Sequence, residues 1–374
     1  MPKIQFIVFL IVVLSVYAGM NGFVYWRIAG GLSLSPGQRL ALKWGMAALA
    51  LLFIAAEFIS RLTPVRPLLF VASVWLGVMA IALTLFLIEL PASLLLPGLR
   101  RQLVLGALAL ILLLSVFSLV NVALGPVLRE KRIAVRGLPA ALNGFIIVQL
   151  SDLHLGNLSS QEGMRRVVER VNALNPDLVC ITGDTIDGDV CREEGYCATL
   201  RSIRARHGVV AITGNHEFYA GVDKFMELAR RSGWRVLRNE SWVIEPGLAV
   251  IGLDDDTARG FGFTGPDLDA ALSSLPAGPK VLLYHQPLNF ASAVKKGISL
   301  QLSGHTHAGQ IPPMDALVYL TYKYPAGLYR LEGSTIHTST GTGTWGPPMR
   351  FLSRSEITRL VLVAESPGGA ASGN

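Results

Sequence analysis

The sequence predicts an α/β domain that follows four transmembrane helices, and three observations support this fold class. The chain of 374 residues is 51% hydrophobic with a mean hydropathy of +0.46, which is too apolar for an ordinary soluble protein. Its longest apolar segments all lie before residue 129. After residue 142, short apolar runs alternate with helical patterns, and several of these runs end at residues of metal-binding types.

The N-terminal region, residues 1–128, contains four apolar segments of about the 20 residues needed to cross a bilayer. They are residues 4–25, 42–59, 67–88 and 103–124. The first segment is longer than the apolar region of a signal peptide, and further apolar segments follow it, so we interpret it as a membrane span. Lys43, Glu57 and Glu89 lie near segment ends, where we expect them to reach the membrane interface. The absence of charges deep in the segments argues against a transporter.

The distribution of basic residues predicts the orientation in the membrane. An even number of spans places the N-terminus and the C-terminal domain on the same side. That side has 7 flanking basic residues, namely Lys3, Arg61, Arg66, Arg129, Lys131, Arg132 and Arg136. The other side has 5, namely Arg27, Arg39, Lys43, Arg100 and Arg101. Because basic flanks are enriched on the cytoplasmic side, we expect a multi-pass inner-membrane protein with a cytoplasmic domain.

A basic segment, residues 129–142, follows the last span and is predicted to be a membrane-proximal linker. Its charges fit a stop-transfer flank, and they also fit contact with anionic headgroups, two roles that are compatible. The net charge of +7 is therefore attributed to the bilayer as a partner. The sequence contains no nucleic-acid-binding motif, so we expect no nucleic-acid partner.

The remainder predicts one large domain, residues 143–364, and a disordered tail, residues 365–374, rich in Gly, Ala and Ser. Cys180 lies in an apolar run and is expected to be a buried thiol. Cys191 and Cys197 bracket a polar loop. They could form a disulfide in an oxidising compartment or remain reduced in the cytoplasm. Their spacing matches no zinc site.

Apolar runs in the domain predict strands at residues 145–150, 178–182, 208–213, 280–284, 298–302 and 357–363, with a hairpin over 242–245 and 248–253. Helices are predicted after a capping-box pattern at residues 159–162 and over residues 200–205, 222–232 and 266–272. This alternation of strands and helices is typical of an α/β domain.

Five of the strands end at residues of metal-ligand types, namely Asp152 and His154, Asp184, Asn215, His285, and His305 with His307. The carboxyl ends of strands in α/β folds face the ligand crevice, so these side chains are expected to converge. Five of the 7 histidines lie at these strand ends, including His216 directly after Asn215. The other two, His207 and His337, are interpreted as surface or structural residues.

This residue set predicts a binuclear metal site. Carboxylate, amide and imidazole ligands without a thiolate suit divalent Mn, Fe, Zn or Co better than Ca. The ligands are too many for one ion, and two ions in such sites lie roughly 3.5–4 Å apart. Asp184, on a glycine turn at a strand end, is the best candidate for a bridging carboxylate. Two metal ions in such a site activate a water molecule and neutralise the charge on phosphate oxygens.

His216 is predicted to act differently from the metal ligands. It follows Asn215 directly, so the two side chains point apart, and His216 is better placed as a general acid beside a leaving oxygen. Asp187 and Glu217 are candidates for orienting ligand histidines. The alternative is that both are ordinary loop carboxylates.

The motifs Asp-x-His, Gly-Asp-x-x-Asp, Gly-Asn-His-Glu, a single His after a strand, and Gly-His-x-His occur in this order. Together they resemble the calcineurin-like metallophosphoesterase superfamily, over residues of about 143–363. The continuation to Gln310 and the run Pro347-Pro348-Met349-Arg350 are similar to its membrane-attached subgroup. That subgroup includes enzymes that cleave UDP-2,3-diacylglucosamine in lipid A synthesis and phosphodiesterases of unassigned substrate.

The resemblance implies a four-layer αββα sandwich of two mixed sheets between helices. It implies two divalent ions, with Asp184 shared between them. The first ion would be held by Asp152, His154, Asp184 and His307, and the second by Asp184, Asn215, His285 and His305. It also implies that His216 is a catalytic histidine that binds no metal.

The leading hypothesis is a membrane-anchored hydrolase that cleaves a phosphodiester or pyrophosphate bond, with a lipid or a nucleotide-sugar lipid such as UDP-2,3-diacylglucosamine as the candidate substrate. One alternative is a phosphodiesterase or phosphatase acting on soluble nucleotides or phosphoproteins, with the spans as an anchor only. Another is a non-catalytic membrane scaffold, which would have no need of His216.

Overall fold

The computed structural model describes residues 3–60, 63, 65–188, 190 and 194–365. The chain divides into two compact units. The helical unit consists of Met1–Leu124, Gly309–Leu317 and Trp345–Ser353. The sheet unit consists of Gly125–Ala308, Val318–Thr344 and Arg354–Asn374. Two short segments from the C-terminal half of the sequence therefore belong with the N-terminal helices.

The helical unit contains the four predicted spans as long α-helices, α1 Lys3–Gly31, α2 Pro36–Ser60, α3 Arg66–Leu95 and α4 Arg100–Ala123. All four are long and apolar enough to cross a membrane. Many of their Leu, Ile and Val side chains are exposed, as expected for helices that face lipid. The structure therefore contains all four predicted spans as helices.

The structure corrects the expected positions of two charged residues in the helical unit. Arg27 was counted as a flank and Glu89 was expected at the interface. Helix α1 extends to Gly31 and α3 to Leu95, so both residues lie inside helices and are buried. Nη2 of Arg27 lies 2.5 Å from Oε2 of Glu89, and the hydroxyl of Ser93 donates to the same carboxylate. Each charge neutralises the other, which allows both to be buried.

Replacing one partner of this ion pair should destabilise the helical unit. Glu89→Ala leaves Arg27 buried without its counter-charge, a change that typically costs about 3–5 kcal/mol. The thermal midpoint of unfolding in detergent should therefore fall in Glu89→Ala, whereas Glu57→Ala, at an exposed position of α2, should change it little. The double variant Arg27→Met with Glu89→Met should recover much of the loss, and equal destabilisation in the single and double variants would contradict this account.

The described part of the sheet unit contains strands β1 Val127–Val135, β2 Ile146–Leu150, β3 Leu178–Thr182, β4 Val209–Ile212, β5 Arg235–Val236, β6 Glu240–Ile244, β7 Leu248–Gly252, β8 Lys280–Leu283, β9 Leu300–Ser303, β10 Gly327–Leu331, β11 Ser334–Thr338 and β12 Glu356–Ala364. Its helices are α5 Gln161–Ala173, α6 Glu194–Arg201, α7 Asn215–Ala220, α8 Val222–Ser232, α9 Leu268–Leu272 and α10 Phe290–Lys295. Helix α11, Met314–Thr321, begins within the second segment of the helical unit.

The strands form two mixed sheets. The first has the order β1-β12-β2-β3-β4-β5, in which β2 to β5 are parallel and β12 runs antiparallel to β2. The second has the order β10-β11-β9-β8-β7-β6, in which β11, β9, β8 and β7 are parallel. Within each parallel set the carboxyl ends of the strands share one edge of the sheet.

The two sheets pack face to face and are covered by helices on their outer faces. The inner core combines Ile147, Cys180 and Val210 of the first sheet with Val281 and Leu302 of the second. Helices α5, α6 and α8 pack on the outside of the first sheet, and α9 and α10 on the outside of the second. The predicted four-layer αββα sandwich is confirmed.

The first half of the basic segment predicted as a linker, residues 129–142, belongs to strand β1. Residues of β1 pair in parallel with β12 at the edge of the first sheet, and Ile133 and Val135 enter the inner core. An edge strand can expose charged side chains on its solvent face, so the basic run concealed a strand. The helix expected over residues 200–205 instead spans Glu194–Arg201.

Two further expectations fall outside the described residues. Cys191 is not described, so the structure does not address its pairing with Cys197. Residues 366–374 of the expected disordered tail are not described either. Cys180 is buried in the inner core, as expected, and burial raises the pKa of its thiol.

Candidate metal centre

The candidate site forms where strands of both sheets end, and its backbone turns sharply there. Five of its residues have a positive φ, namely Asp152, His154, Asp184, His305 and His307, with values from 46° to 69°. Such a backbone is uncommon outside glycine and costs about 1–3 kcal/mol at each residue. Strands β2, β3 and β9 therefore end in strained turns that carry the polar side chains of the site.

Glycines before these residues allow the strand ends to approach closely. A Cβ atom at Gly304 would overlap Oγ of Ser151 and Oδ2 of Asp152. A Cβ atom at Gly214 would overlap Oδ1 of Asp184. The glycine in Gly-His-x-His and the one in Gly-Asn-His-Glu are therefore required because a carboxylate from another strand occupies the space of a side chain.

The first group of candidate ligands is Asp152, His154 and His307, all buried. Nε2 of His154 lies 3.1 Å from Nε2 of His307, which lies 3.4 Å from Oδ1 of Asp152. Two nitrogens that bind one ion at about 2.0–2.1 Å are about 3 Å apart, so this spacing suits a shared ion. The carboxylate of Asp152 also accepts the backbone N–H of His305, at 3.0 and 3.2 Å.

The second group is Asp184, His285 and His305, with Asn215 beside it. Nε2 of His285 lies 3.2 Å from Oδ2 of Asp184, and Nδ1 of His305 lies 2.9 Å from Oδ1 of Asn215. Oδ2 of Asp184 is also 3.9 Å from Nε2 of His154 in the first group. The structure thus brings all seven predicted ligand side chains together, with Asp184 between the two groups.

The state of His285 shows that this pocket suits a cation. Its Nδ1 donates to the backbone carbonyl of Thr182 at 2.7 Å, so Nε2 carries the lone pair of the neutral ring. That Nε2 atom is buried, and the group that faces it is another acceptor, Oδ2 of Asp184 at 3.2 Å. A buried acceptor without a donor is costly, and neutral imidazole is the commonest metal ligand in proteins. The residues present therefore fit a metal ion in the second group.

Asp187 connects the first group to His216. Its Oδ1 atom lies 2.7 Å from Nδ1 of His154 and 2.8 Å from Nδ1 of His216. One carboxylate therefore orients both rings and keeps Nε2 of each as the nitrogen that points away from it. The prediction that Asp187 orients a ligand histidine agrees with this geometry. His154, Asp187 and His216 also lie close enough together to be a third candidate metal group.

The contacts of Glu217 differ from the prediction, because among the described residues its side chain accepts hydrogen bonds from backbone N–H groups and not from a ligand histidine. Its buried carboxylate instead accepts backbone N–H groups from both neighbouring strand ends, namely those of Asp184, Thr185, Ile186 and Gly214. Glu217 is the third residue of α7, where a glutamate commonly caps the helix N-terminus, and this signal could have revealed the role. The residue holds the turns that carry Asp184 and Asn215.

The charges in the site shift several pKa values in opposite directions. Burial opposes the ionisation of Asp187, but His154 and His216 outweigh it and lower its pKa to about 2. Burial opposes the charge on His154, but Asp187 raises its pKa to about 9. Burial, together with the positive charge that His285 carries when it is protonated, lowers the pKa of His305 to about 4. Divergent pKa values among clustered residues are typical of functional sites.

An exposed aromatic patch, consisting of Tyr219, Phe261 and Phe263, lies beside His216. The ring centroids of Tyr219 and His216 are 5.5 Å apart, and those of Tyr219 and Phe261 are 6.0 Å apart. Arg238 lies over the ring of Phe263 and is itself fixed by Asp254, with two N–O distances of 2.8 Å. This patch could not be predicted from the sequence, because Tyr219 lies far along the chain from Phe261 and Phe263.

Comparison with known proteins identifies the domain. The family profile for calcineurin-like phosphoesterases matches residues 145–309. An uncharacterized metallophosphoesterase of Aquifex aeolicus is 32% identical over 220 residues, which cover 58% of this chain and 84% of that protein. This chain belongs to the calcineurin-like phosphoesterase family. The phosphoesterase domain thus has the fold and family that the motifs predicted.

Longer relatives share the membrane character of this phosphoesterase. A protein of Danio rerio named transmembrane protein with metallophosphoesterase domain is 40% identical over 278 residues, which cover 71% of this chain and 63% of that protein. A protein of the same name from Bos taurus is 38% identical over 267 residues, covering 67% of this chain and 60% of that protein. The chain thus spans about 60% of the length of these curated relatives.

A methyl group at Gly304 should abolish metal binding, because it would overlap Ser151 and Asp152 and push the two strand ends apart. We expect Gly304→Ala to lose bound metal, measured by elemental analysis of the purified protein. Gly163→Ala, where a Cβ atom meets only ordinary contacts near the start of α5, is the matched control and should retain it. Full metal content in Gly304→Ala would show that the close approach is not required.

Proposed function

We propose that this chain is a membrane-anchored, metal-dependent phosphoesterase that hydrolyses a phosphodiester or pyrophosphate bond. The observation that carries the proposal is the position of Asp184, whose carboxylate lies between two groups of buried imidazole and carboxylate ligands. A single carboxylate shared by two such groups favours a binuclear site. Membership of the calcineurin-like phosphoesterase family supports the same activity.

The proposed ligand sets follow the two groups. Asp152, His154, His307 and Asp184 would hold one divalent ion, and Asp184 with Asn215, His285 and His305 would hold the other. Nitrogen and oxygen ligands of this kind suit Mn, Fe, Zn or Co. When bound, the ions would polarise the phosphate group and lower the pKa of a water molecule.

His216 is proposed to be the general acid. Oδ1 of Asp187 accepts a hydrogen bond from Nδ1 of His216, which leaves Nε2 as the nitrogen available to a leaving oxygen. The side chain of His216 is 16% exposed, so substrate can reach it. The proton on Nε2 would pass to the leaving oxygen as the P–O bond breaks. Asp187 would act as a positioning residue for the ring of His216.

Replacing His216 tests this role. A general acid contributes about 10²–10⁴-fold, so His216→Ala should lower the turnover of an alkyl phosphodiester by roughly that factor. Both metal ions should remain bound, as judged by elemental analysis. The loss should be much smaller for a p-nitrophenyl ester, because its leaving group needs no proton. His207→Ala, which removes a histidine stacked on Phe145 away from the site, is the control.

Two results would contradict the assignment. Loss of one metal ion in His216→Ala, with an equal rate defect for every leaving group, would show that His154, Asp187 and His216 form a metal site instead. Unchanged turnover of the alkyl phosphodiester would remove any chemical role from His216 and would favour the scaffold hypothesis.

We further propose that the substrate is lipid-linked, with an apolar group next to the phosphate. The aromatic patch supports this, because it touches His216 and so lies on the leaving-group side, and contiguous exposed apolar side chains commonly mark ligand-binding surfaces. The four spans would hold the enzyme in the membrane where such a substrate resides. A nucleotide-sugar lipid such as UDP-2,3-diacylglucosamine is one candidate. Soluble nucleotides or phosphoproteins are the competing substrates.

Chain length of the substrate distinguishes these classes. Phe261 does not contact His216, so Phe261→Ala should leave kcat unchanged. It should raise KM roughly five- to tenfold for a long-chain phosphodiester, through about 1–1.4 kcal/mol of lost apolar contact. KM for a short-chain analogue should not change in Phe261→Ala. The control variant Met226→Ala, on α8, should leave KM unchanged for both substrates. A KM that is independent of chain length in the parent protein would contradict a lipid-linked substrate.

We propose that the phosphoesterase domain faces the cytoplasm of a cell with an inner membrane. Because Arg27 is paired with Glu89 inside the helices, the basic flanks on the opposite side fall from five to four, while the domain side keeps seven. This imbalance supports the orientation. A reporter fused to the C-terminus that is active only in the cytoplasm should be active, and activity of a periplasm-specific reporter there would contradict the proposal.

A further inference from the structure

Two short segments of the C-terminal half pack with the membrane helices. We call Gly309–Leu317 and Trp345–Ser353 the inserted segments. The first begins two residues after His307, and the second contains the Pro-Pro-Met-Arg run. Ile311 and Met349 belong to the same apolar core as residues of α1, α3 and α4. The inserted segments are therefore part of the helical unit itself.

The second segment reaches deep along α3. Gly77 is the residue where it packs, because a Cβ atom there would meet Sδ of Met349 and the ring of Pro347. Gly77 lies 11 residues after the first residue of α3, which corresponds to about 16 Å along the helix axis. The hydrocarbon core of a bilayer is about 30 Å thick. Met349 is fully buried and contacts Gly77. This contact lies about half the thickness of the hydrocarbon core away from the N-terminal end of α3.

The polar backbone of this segment is satisfied by α4, as a membrane location requires. The side chain of Asn121 donates to the carbonyls of Arg350 and Ser353, at 2.9 and 3.1 Å. The backbone N–H of Arg350 donates to the carbonyl of Ser118 at 3.1 Å. Non-helical backbone at membrane depth occurs only where protein groups replace the missing water in this way.

Gln310 joins the two inserted segments to each other. Its side-chain amide donates to the carbonyls of Trp345 and Pro347, at 2.9 and 2.8 Å. Its side-chain oxygen accepts the backbone N–H of Trp345, and its own carbonyl accepts that of Phe351. The Gln that follows Gly-His-Thr-His-Ala-Gly therefore has a structural role within the helical unit.

The outer face of the inserted segments is apolar. Met314 and Leu317 of α11, together with Trp345 and Leu352, are 45%, 50%, 53% and 69% exposed. Large side chains of this kind match the exposed Leu and Ile residues along α3 and α4. Lipid acyl chains are therefore the group that covers this face, because the lipid around the helices also surrounds segments that pack among them.

We propose that the inserted segments form a re-entrant element that lies in the bilayer and contacts lipid acyl chains through Met314, Leu317, Trp345 and Leu352. The chain from Gly309 to Leu317 is thereby fixed to the membrane in addition to the four spans. This assignment is independent of catalytic activity, and its test needs none.

Site-specific fluorescence in lipid bilayers tests the proposal. Leu317→Cys and Leu352→Cys are each labelled with NBD in a background without the native cysteines, and the protein is reconstituted into phosphatidylcholine vesicles. Leu112→Cys, exposed on α4, is the reference for lipid contact, and Met226→Cys, exposed on α8 of the sheet unit, is the reference for water. Labels at 317 and 352 should show blue-shifted emission and be quenched by doxyl-labelled lipids, as at 112. Emission and quenching equal to those at 226 would overturn the proposal.

Trp345 provides a second measurement if the protein without native cysteines does not fold. In vesicles of brominated phosphatidylcholine, the parent protein should lose more tryptophan fluorescence than Trp345→Phe, because residue 345 contacts the quenching acyl chains. An equal absolute loss of fluorescence per mole of protein in the two proteins would place Trp345 outside the bilayer and overturn the proposal.

Discussion

The carboxylate of Asp184 is the group on which the candidate site depends. It lies at the end of β3 with a positive φ, and its two oxygens face residues from other strand ends. Glu217 holds it there by accepting the backbone N–H of Asp184 and of Gly214 on the next strand. The strain of the left-handed turns is thus offset by hydrogen bonds to a buried carboxylate and by contacts that only glycine permits. If Asp184 moved, the two ligand groups would have no common member.

Much of this site could be predicted from the sequence, because strand ends in an α/β fold converge whatever their separation in the chain. The ligand types at Asp152, Asp184 and His305 were visible after short apolar runs, and their order identified the family. The positions of the strands could also be predicted, because a strand that is buried on both faces is a continuous apolar run. Both inferences rest on local sequence.

Other features could not be predicted, because they depend on contacts between residues far apart in the chain. The charge pair of Arg27 and Glu89 is one case, since each residue alone resembled a flank of an apolar segment. The strand β1 is another, because its basic residues resembled a linker until pairing with β12 buried Ile133 and Val135. The aromatic patch and the packing of Met349 against Gly77 likewise exist only after folding. In each case a polar or irregular stretch acquires its role from a distant partner.

The most direct test of the account is the metal content of the full-length protein. Elemental analysis of protein purified in detergent should give two divalent ions per chain. Asp184→Ala should lose both ions, because its carboxylate serves both groups, whereas His154→Ala should mainly weaken one. One ion per chain in active protein, or retention of one ion in Asp184→Ala, would contradict the shared carboxylate at the centre of this account.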